Sequence, residues 1–484
     1  PVDDQTVRPL RLVGYGGHGI CMAWFGLTDS QFKSGVMAII ETPDDMSIQM
    51  LRDKDGRLTV QPIWEASRGE FAYPRRIRYV FFTDGGYVAQ AKRYREYAKS
   101  VGLFKSLRQK LAENPNVDSL MGAVNVWNWE PKKAELCEEL KSLGVKKALW
   151  SGGGTAEQVA RINALGYLTS RYDIYQDVYD PNMPDLPKHL KERLSAGWPD
   201  DLVLLPNGDW MKGWASHVRQ KDGTKKIFQG GVICSSRGLL KAKEAIPKEL
   251  ASIPFRGRFI DTTTASPWRE CWNPAHPLTR SQDREFKMKL LELVSKDMKL
   301  VCGSETGHDA SVPFTHFYEG MMSLGPYRLP DAGRNMLEYK EPTPDFLKYQ
   351  VGPYYRAPLW ELVYHDCTVA YWYWGDYNNK APEVWDQRDL FNILYATPPM
   401  WMFNAQMWAK HKERFLQCYR NTCPQLERLG YEELLTHEFL TPDHAVQRTR
   451  FADGTTIVVN FSDKDHDLGE GRVVKARGFS LANK

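Results

Sequence analysis

Asp261 and Glu305 each close a short apolar segment, Arg258-Phe259-Ile260-Asp261-Thr262-Thr263 and Lys299-Leu300-Val301-Cys302-Gly303-Ser304-Glu305. Both segments read as strands, and the chain between them has room for one helix and one crossover. On successive strands of a β/α barrel the two carboxylates would face one pocket at the C-terminal end, where such barrels carry their chemistry. Two carboxyl groups across a pocket can break a glycosidic bond if one is ionised and the other protonated. Asp261 precedes three threonines whose hydroxyls could hydrogen-bond its carboxylate and keep it charged. Glu305 has the longer arm and suits proton delivery to a leaving oxygen. The structural alternatives are a helix cap or an ion pair with Arg258 or Arg269 for Asp261, and a first-turn helix residue for Glu305.

Other apparent strand ends are also polar or aromatic: Trp127-Asn128-Trp129, Trp150-Ser151-Gly152-Gly153-Gly154, Arg171-Tyr172-Asp173, His308-Asp309, Tyr318-Glu319, His365-Asp366 and Trp374-Gly375-Asp376. Trp127, Trp129, Trp150, Tyr172 and Trp374 are candidate platforms for a sugar ring, with core packing as the alternative. Arg171 and Asp173 are expected to hydrogen-bond sugar hydroxyls. His308, Tyr318, His365, Asp366 and Asp376 complete the expected substrate-binding set. Glu319 or Asp376 would serve as partner in an inverting variant of the same barrel. No metal is expected, because the histidines and their neighbouring aspartates lack HExxH or a comparable spacing. The eight cysteines form no CxxC pair and no Cys/His zinc pattern, and read as buried thiols. Gly152-Gly153-Gly154 lacks the Gly-Lys-Ser/Thr of a phosphate loop, so close packing or a backbone approach to a sugar is expected there. Gly14-Tyr15-Gly16-Gly17-His18-Gly19 lacks a dinucleotide fingerprint and reads as a turn.

The elements that must hold these residues fall into blocks. Residues 1–90 read as a β-sandwich, with Gly35–Ile40 and Arg76–Phe82 as strands and Asp55-Gly56 and Asp84-Gly85-Gly86 as turns. A charged helix from Tyr87 to Ser100 lies in a linker over 91–115. Over 116–420 apolar strands alternate with amphipathic helices, the pattern of a (β/α)8 barrel. Its helices are expected at Lys132–Leu143, Thr155–Ala164 and Ser281–Lys296. Thr368–Tyr373 and Met400–Phe403 would close it. Residues 421–484 return to β, with Asp453-Gly454 between two strands as a hairpin turn. The fold class is therefore multidomain α/β with β: a central TIM-type barrel, a sandwich before it and a small β domain after it.

Composition limits the partners. The 484 residues carry 64 basic and 60 acidic side chains, a formal net charge of +4. That excess is too small and too evenly spread to argue for nucleic acid. No apolar run reaches about 18 residues, so no membrane span is expected. Aromatic residues make up 12% of the chain, with 16 Trp and 23 Tyr; the excess favours a carbohydrate over a nucleotide. No cofactor is implied, and the oligomeric state is left open. The chain opens at Pro1, which leads to the expectation of a processed or trimmed form whose address, periplasmic, secreted or cytoplasmic, is open.

Val363-Tyr364-His365-Asp366, Phe259-Ile260-Asp261, Ser304-Glu305-Thr306-Gly307 and Tyr318-Glu319-Gly320-Met321-Met322 resemble glycoside hydrolase family 129 and, more distantly, family 101. The resemblance implies retaining action on α-linked N-acetylgalactosamine, and a β-supersandwich, a (β/α)8 barrel and further β domains in that order. The N-terminal β block here is shorter than a full supersandwich. The family's strand-end nucleophile and later acid/base map onto Asp261 and Glu305, separated by 305 − 261 = 44 positions. The alternatives are an inverting glycosidase and a non-catalytic carbohydrate-binding protein.

Overall fold

The structure is a computed structural model and describes residues 11–191, 195–219, 223–329, 333–334, 336–373 and 381–482. Eight strands form one parallel sheet: β1 Val124–Trp127, β2 Ala148–Trp150, β3 Leu168–Ile174, β4 Gly257–Asp261, β5 Val301–Glu305, β6 Phe317–Glu319, β7 Val369–Tyr371 and β8 Met400–Met402. Its hydrogen-bonded order runs from β7 through β6, β5, β4, β3, β2 and β1 to β8, so the chain's last strand joins its first and the sheet curls into a TIM-type barrel. Among the described residues seven helices of six residues or more come after β1: α1 Lys133–Ser142, α2 Ala156–Ala164, α3 Ser235–Leu250, α4 Arg280–Glu292, α5 Leu359–Tyr364, α6 Trp385–Tyr395 and α7 Ala405–Leu429. Thr155 with Gln158 and Thr279 with Gln282 form capping boxes that start α2 and α4. Between β5 and β6 the chain passes through only a 3-10 turn, Asp309–Ser311.

Successive side chains on a strand point to opposite faces, and this alternation builds both layers of the core. Leu149, Leu168, Phe259, Val301, Phe317, Val369 and Met400 meet inside the barrel. Their neighbours face the helices: Val124, Val126, Trp150 and Trp401 pack with Ala134, Cys137 and Leu140 of α1, and Ile260 and Cys302 pack with Leu239, Ala242 and Ile246 of α3.

Two antiparallel three-stranded sheets precede the barrel, Arg11–Gly14/Met46–Arg52/Leu58–Trp64 and Trp24–Thr28/Gly35–Ile40/Ile77–Phe82. They share an apolar layer built on Ile40, Met46 and Ile48, the sandwich expected from the turn pattern. The linker helix Gly86–Ser100 follows. An antiparallel sheet of Asp177–Val178, Lys212–Arg219 and Lys225–Val232 is inserted between β3 and α3; the strands read from the sequence do not include these segments, two of which are eight residues long. Helix α7 runs on to Leu429 despite Pro424, so β structure resumes at Leu434 rather than near Asn421. Pro424 and the β-branched Thr422 disguise that last stretch of helix. The four-stranded terminal sheet contains the hairpin expected at Asp453-Gly454, with Val446 opposite Asn460 and Arg450 opposite Thr456. Among the described residues no helix is long and apolar enough to cross a membrane.

Candidate active site

Asp261 and Glu305 are the last residues of neighbouring parallel strands, one step past the Ile260–Ser304 pair. Adjacent strands lie about 4.8 Å apart, and both side chains share the interior face with Phe259 and Val301. Glu305 is in turn level with Glu319 on β6. Asp261 and Glu305 are nearly buried. The Tyr172 hydroxyl donates to Asp261 Oδ2 at 2.6 Å, while Asp261 Oδ1 is buried without a partner.

The three threonines after Asp261 do other work than the sequence suggests. The Thr262 and Thr263 hydroxyls donate to the main-chain oxygen of Asp261, and Thr264 Oγ1 donates to that of Glu305. Thr262 also adopts φ = 60°, a left-handed conformation that a β-branched residue rarely takes. Such strain costs about 1–3 kcal/mol and is found where surroundings enforce it. Here the turn it makes directs the chain away directly behind the carboxylate.

Burial and the facing Glu305 charge hold the Asp261 carboxyl well above the usual carboxylate range, against the Tyr172 hydrogen bond, which favours the ionised form. Burial also pushes Glu305 upward, but the His18 ring, Arg328 and Tyr373 outweigh it and hold its carboxyl below the ordinary value. The two carboxyls are driven apart, Asp261 toward its protonated form and Glu305 toward its ionised form, because two neighbouring buried carboxylates resist ionising together.

His18 was read as part of a turn and is the main site residue that sequence reasoning missed. Its Nε2 lies 3.3 Å from Glu305 Oε1. The glycine-rich loop of the N-terminal sandwich delivers it: Gly17 N donates to Thr264 O at 2.9 Å and His18 N to Ala265 O at 3.1 Å. A Cβ on Gly17 would collide with the main-chain oxygen of Thr306 and stand 2.6 Å from that of Thr264. The glycine is there so that two domains can touch backbone to backbone. Arg328 lies over the Tyr373 ring, 3.3 Å from its centroid, on the same side of Glu305.

A cavity of about 360 Å³, lined by Trp127, Trp129, Ser151, Gly152, Gly153, Arg171, Tyr172, Met336 and Met402, reaches the pair through Tyr172, the hydrogen-bond partner of Asp261; neither carboxylate is part of its lining. Trp127 and Trp129 lie with ring centroids 6.1 Å apart, and Trp127 meets Tyr172 edge-on at 6.2 Å. Trp127 is held from below by Glu319, whose Oε1 accepts from Trp127 Nε1 at 3.1 Å and from Asn125 Nδ2 at 2.6 Å. Trp129 is 51% exposed, an open aromatic face at the mouth. Gly152 and Gly153 border the cavity, and a Cβ on Gly152 would collide with the main-chain oxygen of Asn128 and stand 2.8 Å from the Trp150 ring, the close packing that is one of the two expectations for this loop.

Strand alternation takes several expected residues elsewhere. Trp150 faces the helices, fully buried, with its indole N–H on Gly153 O at 2.8 Å. Asp173 also points outward, 3.2 Å from Arg258 Nε; burial raises its pKa, with Arg258 and Arg171 opposing. Arg171 borders the cavity while its Nε donates to Glu249 at 2.9 Å. Tyr318 is outward and buried, bonded to Ser311 Oγ at 2.6 Å. His308 is buried between Tyr15 and Trp268, and neither ring nitrogen has a partner. Burial pushes it down to about 3. His365 and Asp366 precede β7 and so sit at the opposite barrel end. His365 Nδ1 contacts Glu432 O at 2.8 Å, and Asp366 takes a two-pronged ion pair from Arg95 of the linker helix at 2.7 and 2.8 Å. Trp374 and Asp376 lie outside the described residues.

Comparison with known proteins fits this arrangement. The family model "Glycosyl hydrolases related to GH101 family, GH129" matches residues 139–332 and 324–450. Among solved structures, the chain is similar to α-N-acetylgalactosaminidase NagBb from Bifidobacterium bifidum. The ligand-free form matches at 20% identity and a TM-score of 0.68, over 91% of this chain and 74% of that one. A complex of the same protein with Gal-NHAc-DNJ matches at 18% identity and 0.70, over 100% and 81%. The GH36 α-galactosidase AgaA from Geobacillus stearothermophilus matches at 12% identity and 0.50, over 96% and 67%. At these identities the likeness is one of fold. No curated protein sequence matches the chain.

Proposed function

The chain belongs to glycoside hydrolase family 129 and is an α-glycosidase, and from that premise we propose that it acts with retention on α-linked N-acetylgalactosamine or galactose-type sugars. The observation that carries this reading is the pair Asp261 and Glu305, level with each other on adjacent strands and both turned into the barrel mouth. The names of the structural neighbours, an α-N-acetylgalactosaminidase and an α-galactosidase, support a galacto-configured substrate.

In this reading the Asp261 carboxylate attacks the anomeric carbon from the face opposite the leaving group. The bond to the leaving oxygen breaks, and that oxygen takes the proton of Glu305. Glu305, now ionised, takes a proton from water; the water oxygen bonds to the anomeric carbon and Asp261 departs. Two inversions give retention. Tyr172 holds Asp261 through the hydroxyl that favours its charge, and Trp127 and Trp129 offer stacking faces. The reaction requires the proton on Glu305, whereas burial and the facing charges favour it on Asp261. Positive charge developing on the sugar beside Asp261 would reverse that order as the bond loosens.

One observation favours a second assignment. The upward shift of Asp261 and the downward shift of Glu305 point toward a mechanism with the two roles exchanged. Azide separates the two. With an activated aryl α-glycoside, Glu305→Ala should glycosylate and then yield the α-azide, because azide needs no base. Asp261→Ala should yield only the β-azide, from direct attack. The opposite pattern of azides would establish the exchanged roles. The same anomer from both variants, or undiminished activity in both, would overturn the carboxylate pair. A first-formed product of inverted configuration, read by NMR, would overturn retention.

A further inference from the structure

Outside the glycosidase site, three buried side chains that the sequence leaves scattered converge on one point. Cys234, Cys271 and His276 bring their sulfurs and a ring nitrogen within 4.8 Å of one another. All three are nearly or fully buried. Cys271 Sγ lies 3.5 Å from His276 Nδ1. A tetrahedral zinc ion with Zn–S near 2.3 Å and Zn–N near 2.05 Å sets an S···N separation of about 3.6 Å. The other ring nitrogen of His276, Nε2, lies 2.9 Å from Asp200 O. That is the outer hydrogen bond by which a metal-binding imidazole is oriented, and it turns the Nδ1 lone pair toward the sulfurs.

The local backbone is built for this meeting. Cys271 and Leu278 exchange main-chain hydrogen bonds at 2.9 and 3.0 Å, which closes a loop that sets Cys271 and His276 side by side. Cys234 is the N-cap residue of α3 and makes no capping hydrogen bond to the helix. A thiolate in that position is favoured by the helix's free N–H groups and positive end. Ser236 Oγ, 3.4 Å from Cys234 Sγ, is a donor near the fourth position.

We propose that Cys234, Cys271 and His276 form a structural zinc site, with Ser236 or a water as fourth ligand. Two thiolates and an imidazole select zinc over the hard cations, which take oxygen. Binding Zn2+ releases the two thiol protons, so the filled cluster is neutral and suits its burial. The ion would staple the end of the inserted sheet and the start of α3 to the loop that follows Asp261. Its work is to fix that loop rather than to meet substrate.

The test measures metal, not activity. Protein purified without added chelator should carry about one zinc per chain by plasma mass spectrometry, as a closed structural site does. Cys271→Ser and His276→Ala should each fall to about a tenth of that or less, while Cys137→Ser, a buried thiol elsewhere, should retain it. Should the variants fail to fold, chelated wild-type protein titrated with Co2+ gives the same answer. It should show thiolate-to-cobalt charge transfer and the visible bands of a tetrahedral ion, and zinc should restore the melting temperature lost on chelation. Wild-type protein with no zinc that takes up neither ion would overturn the proposal. So would zinc retained by both cluster variants, or a Cys234–Cys271 disulfide in the unreduced protein.

Discussion

Replacing His18 by glutamine tests whether the N-terminal loop sets the proton distribution of the carboxylate pair. The His18 ring is 3.3 Å from Glu305 and 43% exposed at its side chain. At that distance a full charge would be worth about 5 kcal/mol at an effective dielectric constant of 20 and about 1.3 kcal/mol in water. Half-exposure keeps the interaction toward the lower end, about 1.3–2.8 kcal/mol. His18 favours the ionised form of Glu305, so its loss raises that carboxyl. The pair titrates in two macroscopic steps, and the first deprotonation of the doubly protonated pair is mainly that of Glu305. The acid limb of kcat/KM for an aryl α-glycoside should therefore move to higher pH. The plateau then reports the roles. Moving the remaining proton toward Glu305 raises the productive fraction if Asp261 is the nucleophile and lowers it if the roles are exchanged. An acid limb within about 0.3 units of wild type would refute the reasoning, since no contact worth even the weakest estimate could be present.

Trp129→Ala should raise KM or Ki for substrate analogues by the equivalent of about 1–3 kcal/mol and leave the melting temperature unchanged, because Trp129 is half exposed at the cavity mouth. Trp150→Ala should do the reverse, costing about 3–5 kcal/mol in denaturant unfolding through the cavity left under α1. Gly17→Ala should reproduce the upward shift of the acid limb expected of His18→Gln with little change in far-UV dichroism, since the new Cβ pushes His18 off Glu305 rather than unfolding the sandwich. His308 is buried neutral with a folded pKa of about 3, below its ordinary 6.5. It therefore contributes stability that is full above about pH 6.5 and is lost as pH falls toward 3. His308→Leu should flatten that part of the unfolding free energy against pH, and an unchanged slope would show that His308 does not drive it.

The barrel was legible because its signal is local. Strands of apolar residues alternate with capped amphipathic helices, and Asp261 and Glu305 stand where such strands stop. Which way each strand-end residue points was harder to read. Trp127 and Trp150 close neighbouring strands in the same manner, yet one faces the cavity and the other the helix layer. The count of residues to a known interior position decides this; aromatic character does not. Phe259 and Asp261 share a face, and the same count along β3 puts Tyr172 inside and Asp173 outside. His365-Asp366 resembled a strand end but lies before its strand, which reverses the barrel end it occupies. His18 and the Cys234–Cys271–His276 cluster were invisible for a different reason. His18 reaches Glu305 by tertiary contact from another domain, and Cys234 joins Cys271 and His276, themselves neighbours in one loop, across 271 − 234 = 37 positions, a separation that no zinc spacing rule covers.

The loop that carries His18 also fixes the smallest piece of this protein that can be inherited as a working unit. The family match begins at residue 139, whereas the charge balance of Glu305 begins at residue 18. A gene fragment coding for the barrel alone would keep both carboxylates and lose the partner that holds one of them ionised. Recombination that exchanged the sandwich between relatives would change the group facing Glu305 without touching a residue that lines the Trp127–Trp129 cavity. The N-terminal domain is in that sense a tuning cassette, and acidity and sugar preference are traits that can evolve apart.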